Sequence, residues 1–186
     1  MRISQKFFTR GSGFSPGSQT AADRDAELVL AFASREILKG PDVFHSLQRL
    51  YPKAHLCGCS TSGEIFGTRV FDDTLVATAI TFDHTRIMGA GITLDAVSNS
   101  QEAGALLARS IDMNDLVHVF VLSDGLNVNG SDLVRGITEN LPENVTVTGG
   151  LAGDADLFEE TYVFWDSPPR QNSLAVIGFY GSRLKV

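Results

Sequence analysis

Cysteine is scarce in this sequence. Only Cys57 and Cys59 occur, and their spacing within one extended stretch does not suit a mutual disulfide. A disulfide scaffold is thereby excluded, and a reducing, cytoplasmic setting is expected. Long hydrophobic runs are missing too. None reaches the roughly 18 residues of a membrane helix, and the N-terminus lacks the apolar segment of a secretory signal. There is no charge run and no low-complexity tract. The formal net charge of −7 disfavours nucleic acid and anionic membrane as partners. What is present is 186 residues, 43% hydrophobic, with a mean hydropathy of +0.05. Such a chain fills one domain, or two tightly fused halves, with a full core.

The organising stretch is 145–156, Val-Thr-Val-Thr-Gly-Gly-Leu-Ala-Gly-Asp-Ala-Asp. Val145 and Val147 alternate with threonines, as in a short strand. The strand is expected to break at Gly149 and Gly150 into a loop that also holds Gly153 and Asp154. Glycines there admit φ > 0 and let a ligand reach bare backbone N–H groups. A strand ending in such a loop is where α/β proteins commonly place their chemistry. Residues 55–66, His-Leu-Cys-Gly-Cys-Ser-Thr-Ser-Gly-Glu-Ile-Phe, form a twin. Gly63 and Glu64 precede Gly153 and Asp154 by 90 positions (153 − 63, 154 − 64). The apolar stretch 28–34 stands opposite 118–124 at the same offset. The chain therefore reads as two diverged β-α-β-β-β units, at 27–95 and 116–181, with their glycine loops facing across a pseudo-twofold axis.

Taken in order, 2–8 reads as a first strand and 9–24 as a polar loop with at most a short helix at 21–25. Residues 27–33 are a continuous apolar run of strand length, as burial on both faces requires. Pro41, then Phe44, Leu47, Leu50 and Tyr51, then Pro52 mark a helix. Residues 54–59 form the strand that enters the first loop. Residues 74–82 and 85–94 read as a hairpin turning at Asp83 and His84. Ser98 with Gln101 has capping-box spacing, ahead of a helix whose apolar face is Ala103, Leu106, Leu107 and Ile111. A buried-type strand at 116–122 and a polar loop at 124–130 come next. A helix with Leu133, Val134, Ile137 and Leu141 succeeds them, ended by Pro142. Residues 161–165 and 173–180 read as a closing hairpin around Pro168 and Pro169. Parallel crossovers mixed with antiparallel pairs indicate an α+β fold. Its sheet is mixed, or split into two stacked sheets, with helices packed outside. The sequence ends straight after a strand, so a C-terminal partner domain is expected to come after it.

Three motifs occur in a fixed order: Gly-Cys-Ser-Thr-Ser-Gly-Glu-Ile at 58–65, Leu-Ser-Asp-Gly-Leu at 122–126, and Val-Thr-Gly-Gly-Leu-Ala-Gly-Asp at 147–154. Together they resemble the N-terminal part of the FIST sensory domain, over residues 27–180. The resemblance implies an intracellular bacterial sensory domain that binds a small ligand such as an amino acid. It implies signalling through a histidine kinase, a chemoreceptor or a cyclic-dinucleotide enzyme. As an alternative it implies a haem-binding nitric-oxide sensor. The segment before Glu27 is shorter than the family pattern, and the family's C-terminal half is not in this sequence.

On that reading the ligand-binding residues are Ser60, Thr61, Gly63, Glu64, Asp124, Gly125, Gly149, Gly150, Gly153 and Asp154. Hydroxyls and backbone N–H groups would hold a carboxylate, and Glu64, Asp124 or Asp154 an ammonium. A local alternative stands beside it: Thr61 and Glu64 also have capping-box spacing and would then start a short helix. The glycines lack the G-x-G-x-x-G spacing and no Walker lysine is present, so nucleotide binding is disfavoured. Position 62 is Ser, which breaks the G-x-S-x-G elbow. Cys59 would act as a nucleophile only with a histidine beside it and is otherwise a small buried hydrophobe. Catalysis is not expected, and an enzyme with a thiol or hydroxyl nucleophile is the third reading. His55, Cys57 and Cys59 alternate along one strand but match no structural zinc spacing, so no metal is expected. A C-x-x-C-H haem attachment is absent. A b-type haem needs one axial histidine, and the sequence does not choose among His45, His55, His84 and His118.

Overall fold

The computed structural model describes residues 1–15 and 19–186. It opens with β1 (Arg2–Thr9), on which a short β2 (Gly13–Ser15) folds back where composition predicts a loop. The part of that predicted loop at 16–18 lies outside the described residues. Next comes α1 (Ala21–Arg24), started by a reciprocal capping box between Thr20 and Asp23. Then β3 (Leu28–Ala33), α2 (Arg35–Leu38), α3 (Pro41–Leu50) and β4 (His55–Ser60) make a parallel crossover. A small hairpin of β5 (Glu64–Phe66) and β6 (Arg69–Phe71) packs its Phe66 and Phe71 rings on Phe7. The chain continues through β7 (Thr74–Thr81), β8 (Arg86–Thr93), α4 (Ser100–Arg109) and β9 (Leu116–Ser123). It finishes with α5 (Gly130–Thr138), β10 (Thr146–Leu151), β11 (Val163–Trp165) and β12 (Ser173–Tyr180).

The strands form two main sheets, ordered β11-β4-β3-β7-β1-β2 and β10-β9-β12-β8. Four strands of the first, β4-β3-β7-β1, correspond one by one to the second. In each, the first two strands are parallel and joined through a helix, and the other pairings are antiparallel. The fold is α+β with two mixed sheets.

Alternation along the strands explains the layering. On β3, Val29, Ala31 and Ala33 bury against Ile37 and Leu38 of α2 and Phe44 and Leu47 of α3. Leu28, one residue out of phase, joins Cys57 and Cys59 in a second core shared with Leu122, Ala175 and Ile177 of the other sheet. On that sheet Val119, Val121, Leu174 and Val176 bury against Leu107 of α4 and Leu133 and Ile137 of α5. The order is helices, sheet, sheet, helices. A strand inside it is covered on both faces, which is why 28–33 and 116–123 lack polar alternation.

Neither predicted hairpin forms. β7 lies inside the first sheet while β8 pairs with β12 in the second. Asp83 and His84 offer no glycine or asparagine for a tight two-residue turn, and the link crosses between layers. Likewise β11 pairs with β4, not with β12. Asp166 anchors that departure: its Oδ1 accepts the Leu56 N–H at 2.8 Å. The cap of α4 is Asn99, whose side chain accepts the Glu102 N–H, one residue later than the Ser98–Gln101 spacing predicts. Glu102 instead accepts the Ser98 hydroxyl. Among the described residues, no helix is long and apolar enough to cross a membrane.

Candidate functional site

The C-terminal ends of the two parallel pairs, β3/β4 and β9/β10, meet at one seam. Ser60, fully buried at the end of β4, holds it from three sides. Its N–H donates to the Tyr162 carbonyl at 2.8 Å, and its Oγ accepts the Tyr162 N–H at 3.0 Å. Its carbonyl accepts the Gly153 N–H at 2.9 Å, which ties the first loop to the second. A second tie runs from the Ala155 N–H to Ser62 Oγ at 3.1 Å.

Thr61 and Glu64 do bond, Oγ1–H to Oε1 at 2.7 Å, but no helix begins there. Glu64 is buried, and its other oxygen accepts both the N–H and the hydroxyl of Thr74. The pair therefore fastens the first loop to β7. Gly63 lies in the same turn, against Val70.

Asp124 is buried at the end of β9. One oxygen accepts the N–H groups of Leu126 and Asn127, at 3.0 and 2.6 Å. The other accepts the Thr161 hydroxyl at 2.8 Å. The Gly125 N–H donates to that same hydroxyl at 3.0 Å. Gly125 passes so close to the Ala152 carbonyl that a Cβ would lie 1.8 Å from it.

Asp154, also buried, accepts the N–H groups of Glu159 and Glu160 at 2.7 and 3.0 Å. Arg35 Nη1 stands 3.4 Å from the same oxygen. Burial works against its charge, but these N–H groups and Arg35 outweigh it and hold the carboxyl below the ordinary carboxylate range.

The seam thus joins Ser60, Gly153 and Asp154 directly and reaches Asp124 and Gly125 through the 161–162 segment. Gly149 and Gly150 stand apart from it. They are not in a loop but inside β10, the exposed outer strand of its sheet.

Sequence reasoning missed the cations of the seam, which sit on α2 and at its C-cap. Arg35 touches Glu159 Oε2 at 2.9 Å, Glu36 at 3.3 Å and Glu160 at 3.8 Å. Lys39 pairs with Glu160 and Glu36. Lys39 in turn depresses the Glu160 carboxyl, against a smaller opposing effect of burial. A usable signal existed: Ser34 stands 90 positions before Asp124 (124 − 34). Each stands just past the end of its strand and caps the next turn of backbone, Ser34 by accepting the Ile37 N–H and Asp124 by accepting those of Leu126 and Asn127. Arg35 is therefore the first-unit counterpart of Gly125. Chemically, two cations among four carboxylates at a loop junction can exchange partners with a ligand that carries both charges.

The other candidates have different surroundings. Cys57 and Cys59 point into the core between the sheets, and burial pushes both thiols up, Cys59 to about 12. The thiolate is the reactive form. Both cysteines are expected to resist iodoacetamide in the folded protein and to react fully once urea unfolds it. Fast labelling of Cys59 in the native state would restore the thiol-nucleophile reading.

Among the described residues, no three His, Cys, Asp or Glu side chains gather as a metal ion requires. His118 is held by the Thr146 and Thr148 hydroxyls through its two ring nitrogens. His55 stacks on Trp165 and bonds Asp166. His84 meets Arg183, and exposed His45 meets Gln48. The hollow that His55 and His84 line is rimmed by Glu27, Lys53, Asp83 and Arg86. The apolar groove beside β10 has no histidine. A haem needs an axial ligand inside an apolar slot, and these surroundings do not fit one.

The model of one family, the FIST N domain, matches residues 27–186. No curated protein matches the chain.

Proposed function

The chain belongs to the FIST N domain family of sensory signal-transduction domains, and from that premise we propose that it senses a small zwitterion of the amino-acid class at the seam between its two sheets. The observation that supports this most is Arg35. Its side chain is only 12% exposed, yet one of its partners, Glu159, is 63% exposed and free to leave. A ligand carboxylate takes the place of Glu159 on the guanidinium, bidentate as arginine favours. The ligand ammonium is met by the released Glu159 and by Glu160. Ser60, Thr61, Gly63, Glu64, Asp124, Gly125, Gly153 and Asp154 hold the two loops in register around that exchange.

Because the seam joins one sheet to the other, ligand affinity that differs between two arrangements of the sheets shifts their populations. Output passes to a C-terminal partner domain and a cytoplasmic signalling protein: a histidine kinase, a chemoreceptor or a cyclic-dinucleotide enzyme. The role is recognition rather than catalysis.

A thermal-shift screen of the proteinogenic amino acids tests the reading. A ligand at about a hundred times its Kd stabilises by roughly 2.7 kcal/mol, a rise that such a screen resolves. The expected result is a rise with one or a few amino acids that Arg35→Gln abolishes. A flat screen, or a rise that survives Arg35→Gln, would overturn the assignment.

A further inference from the structure

The two sheets differ at one corresponding edge. In the first, Gly58 of β4 pairs with Ala31. In the second, Gly149 of β10 pairs with Val121, 90 positions after Ala31 (121 − 31). The match extends to the backbone: a Cβ on either glycine would lie 2.0 Å from the carbonyl oxygen of that partner. Gly58 and Gly149 are thus the same position in the two units. Beside Gly58 runs β11, antiparallel to β4, with Phe164 opposite the glycine. The Phe164 ring fills the space that a Cβ would take, 2.6 Å from where that atom would stand. It is 2% exposed and meets Phe44 of α3 edge-on at 6.0 Å.

No strand runs beside β10 in the matching place among the described residues. β10 ends its sheet, so its outer N–H and C=O groups have no strand partner. Between it and α5 runs a groove of about 440 Å³, lined by Val121, Leu133, Val134, Ile137, Val147 and Leu151 around Gly149. Val134 and Leu151, at its mouth, are half exposed. No charged side chain lines it.

We infer that β10 is a receptor edge: an extended segment of a partner protein adds antiparallel to it and lays an aromatic side chain over Gly149, as β11 does with Phe164 over Gly58. Main-chain hydrogen bonds supply affinity in this mode, and the side-chain pocket supplies selectivity. A six-residue strand edge with one groove is the size of a peptide contact. The occupant that the fold itself lays on the corresponding edge is a short antiparallel strand, β11 on β4, which favours a strand over a second copy of the chain. An open edge of this kind is otherwise an aggregation hazard.

The chain's own β11 sequence provides the probe. A synthetic peptide Glu-Thr-Tyr-Val-Phe-Trp-Asp, copied from 160–166, is titrated into the isotopically labelled protein, with amide shifts as the readout. Saturable shifts confined to β10 and α5 are expected. Phenylalanine-to-alanine replacement in the peptide, or Val134→Glu in the protein, should each weaken binding by about tenfold or more. Leu151→Glu gives an independent second block, and the half exposure of both sites predicts an unchanged urea midpoint. Absent shifts at millimolar peptide, shifts on β4 instead, or binding indifferent to Val134→Glu would overturn the inference. Peptide-free dimerisation that Val134→Glu abolishes would assign the edge to a second copy and overturn it as well.

Discussion

Replacing Asp154 with alanine lowers the stability of the protein by about 3 kcal/mol, because it leaves part-buried donors without their acceptor and takes from Arg35 its buried carboxylate partner. The N–H groups of Glu159 and Glu160 lose their shared oxygen, and Arg35 loses the one buried carboxylate among its partners. The substitution also frees the segment that carries Thr161, the hydroxyl partner of Asp124. It should therefore abolish any ligand-dependent thermal shift along with the stability. Asp154→Asn separates the two effects, since an amide oxygen can still accept the N–H bonds but carries no charge.

The charge part has a definite pH signature. The folded Asp154 carboxyl lies below its ordinary value of 3.8. A group with a depressed folded pKa stabilises in full above its unfolded pKa and loses that contribution as pH falls through the folded value. The stability gap between the native protein and Asp154→Asn should then be constant from neutral pH down to about pH 5. Below that it should narrow as acid protonates the native carboxylate. Urea midpoints measured at stepped pH check both halves. A gap that is absent at pH 7, or that widens in acid, would remove Asp154 from its place as the clamp of the seam.

The parts of this architecture that a reader of the sequence can see are those set by neighbouring residues. The apolar runs at 28–33 and 116–123 announce strands covered on both faces. Phe44 and Leu47, or Leu133 and Ile137, announce helices by their spacing. The 90-residue offset exposes the correspondence of Ala33 with Ser123 and of Ser34 with Asp124. What stays hidden is partner choice across long separations. Little local says that β7 and β8 part company: the link at Asp83 and His84 lacks a tight-turn glycine, but two adjacent apolar strands otherwise look the same whether they pair or pass between layers. Four-residue α2 is too short to show a period, so Arg35 goes unnoticed, although it contacts Asp154 from 119 residues away. Gly149 and Gly150 mislead for the opposite reason. Glycine usually marks a break, but here Gly149 serves close strand approach to the Val121 carbonyl, a need that arises only once β9 is alongside.

Removal of Asp23 should cost about 4 kcal/mol, because it takes the carboxylate out of a buried, hydrogen-bonded ion pair. Lys6 on β1 and Asp23 on α1 are both essentially without solvent contact, 3.2 Å apart. Asp23 also accepts from the Thr20 N–H at 2.7 Å and from the hydroxyls of Thr20 and Ser4 at 2.8 and 2.9 Å. Burial opposes the charge on Asp23, and these donors together hold its carboxyl below the usual range. Asp23→Ala removes the carboxylate that stands 3.2 Å from the Lys6 ammonium. The double replacement Asp23→Leu with Lys6→Met removes both charges and keeps apolar volume, as well-packed substitutes for buried ion pairs do. It still loses the return half of the capping box, the bond from the Thr20 N–H to Asp23, while Thr20 keeps its bond to the residue-23 N–H; the loss is worth up to about 1 kcal/mol. Urea denaturation should therefore place the double variant within about 1–2 kcal/mol of the native protein and well above Asp23→Ala. The reverse order would mean that the pair contributes net attraction rather than mutual neutralisation. The contrast bears on more than one ion pair. β1 and α1 lie before residue 27, where the family match begins, yet β1 supplies the outer partner of β7 along eight residues. The Lys6–Asp23 pair joins that strand to its helix.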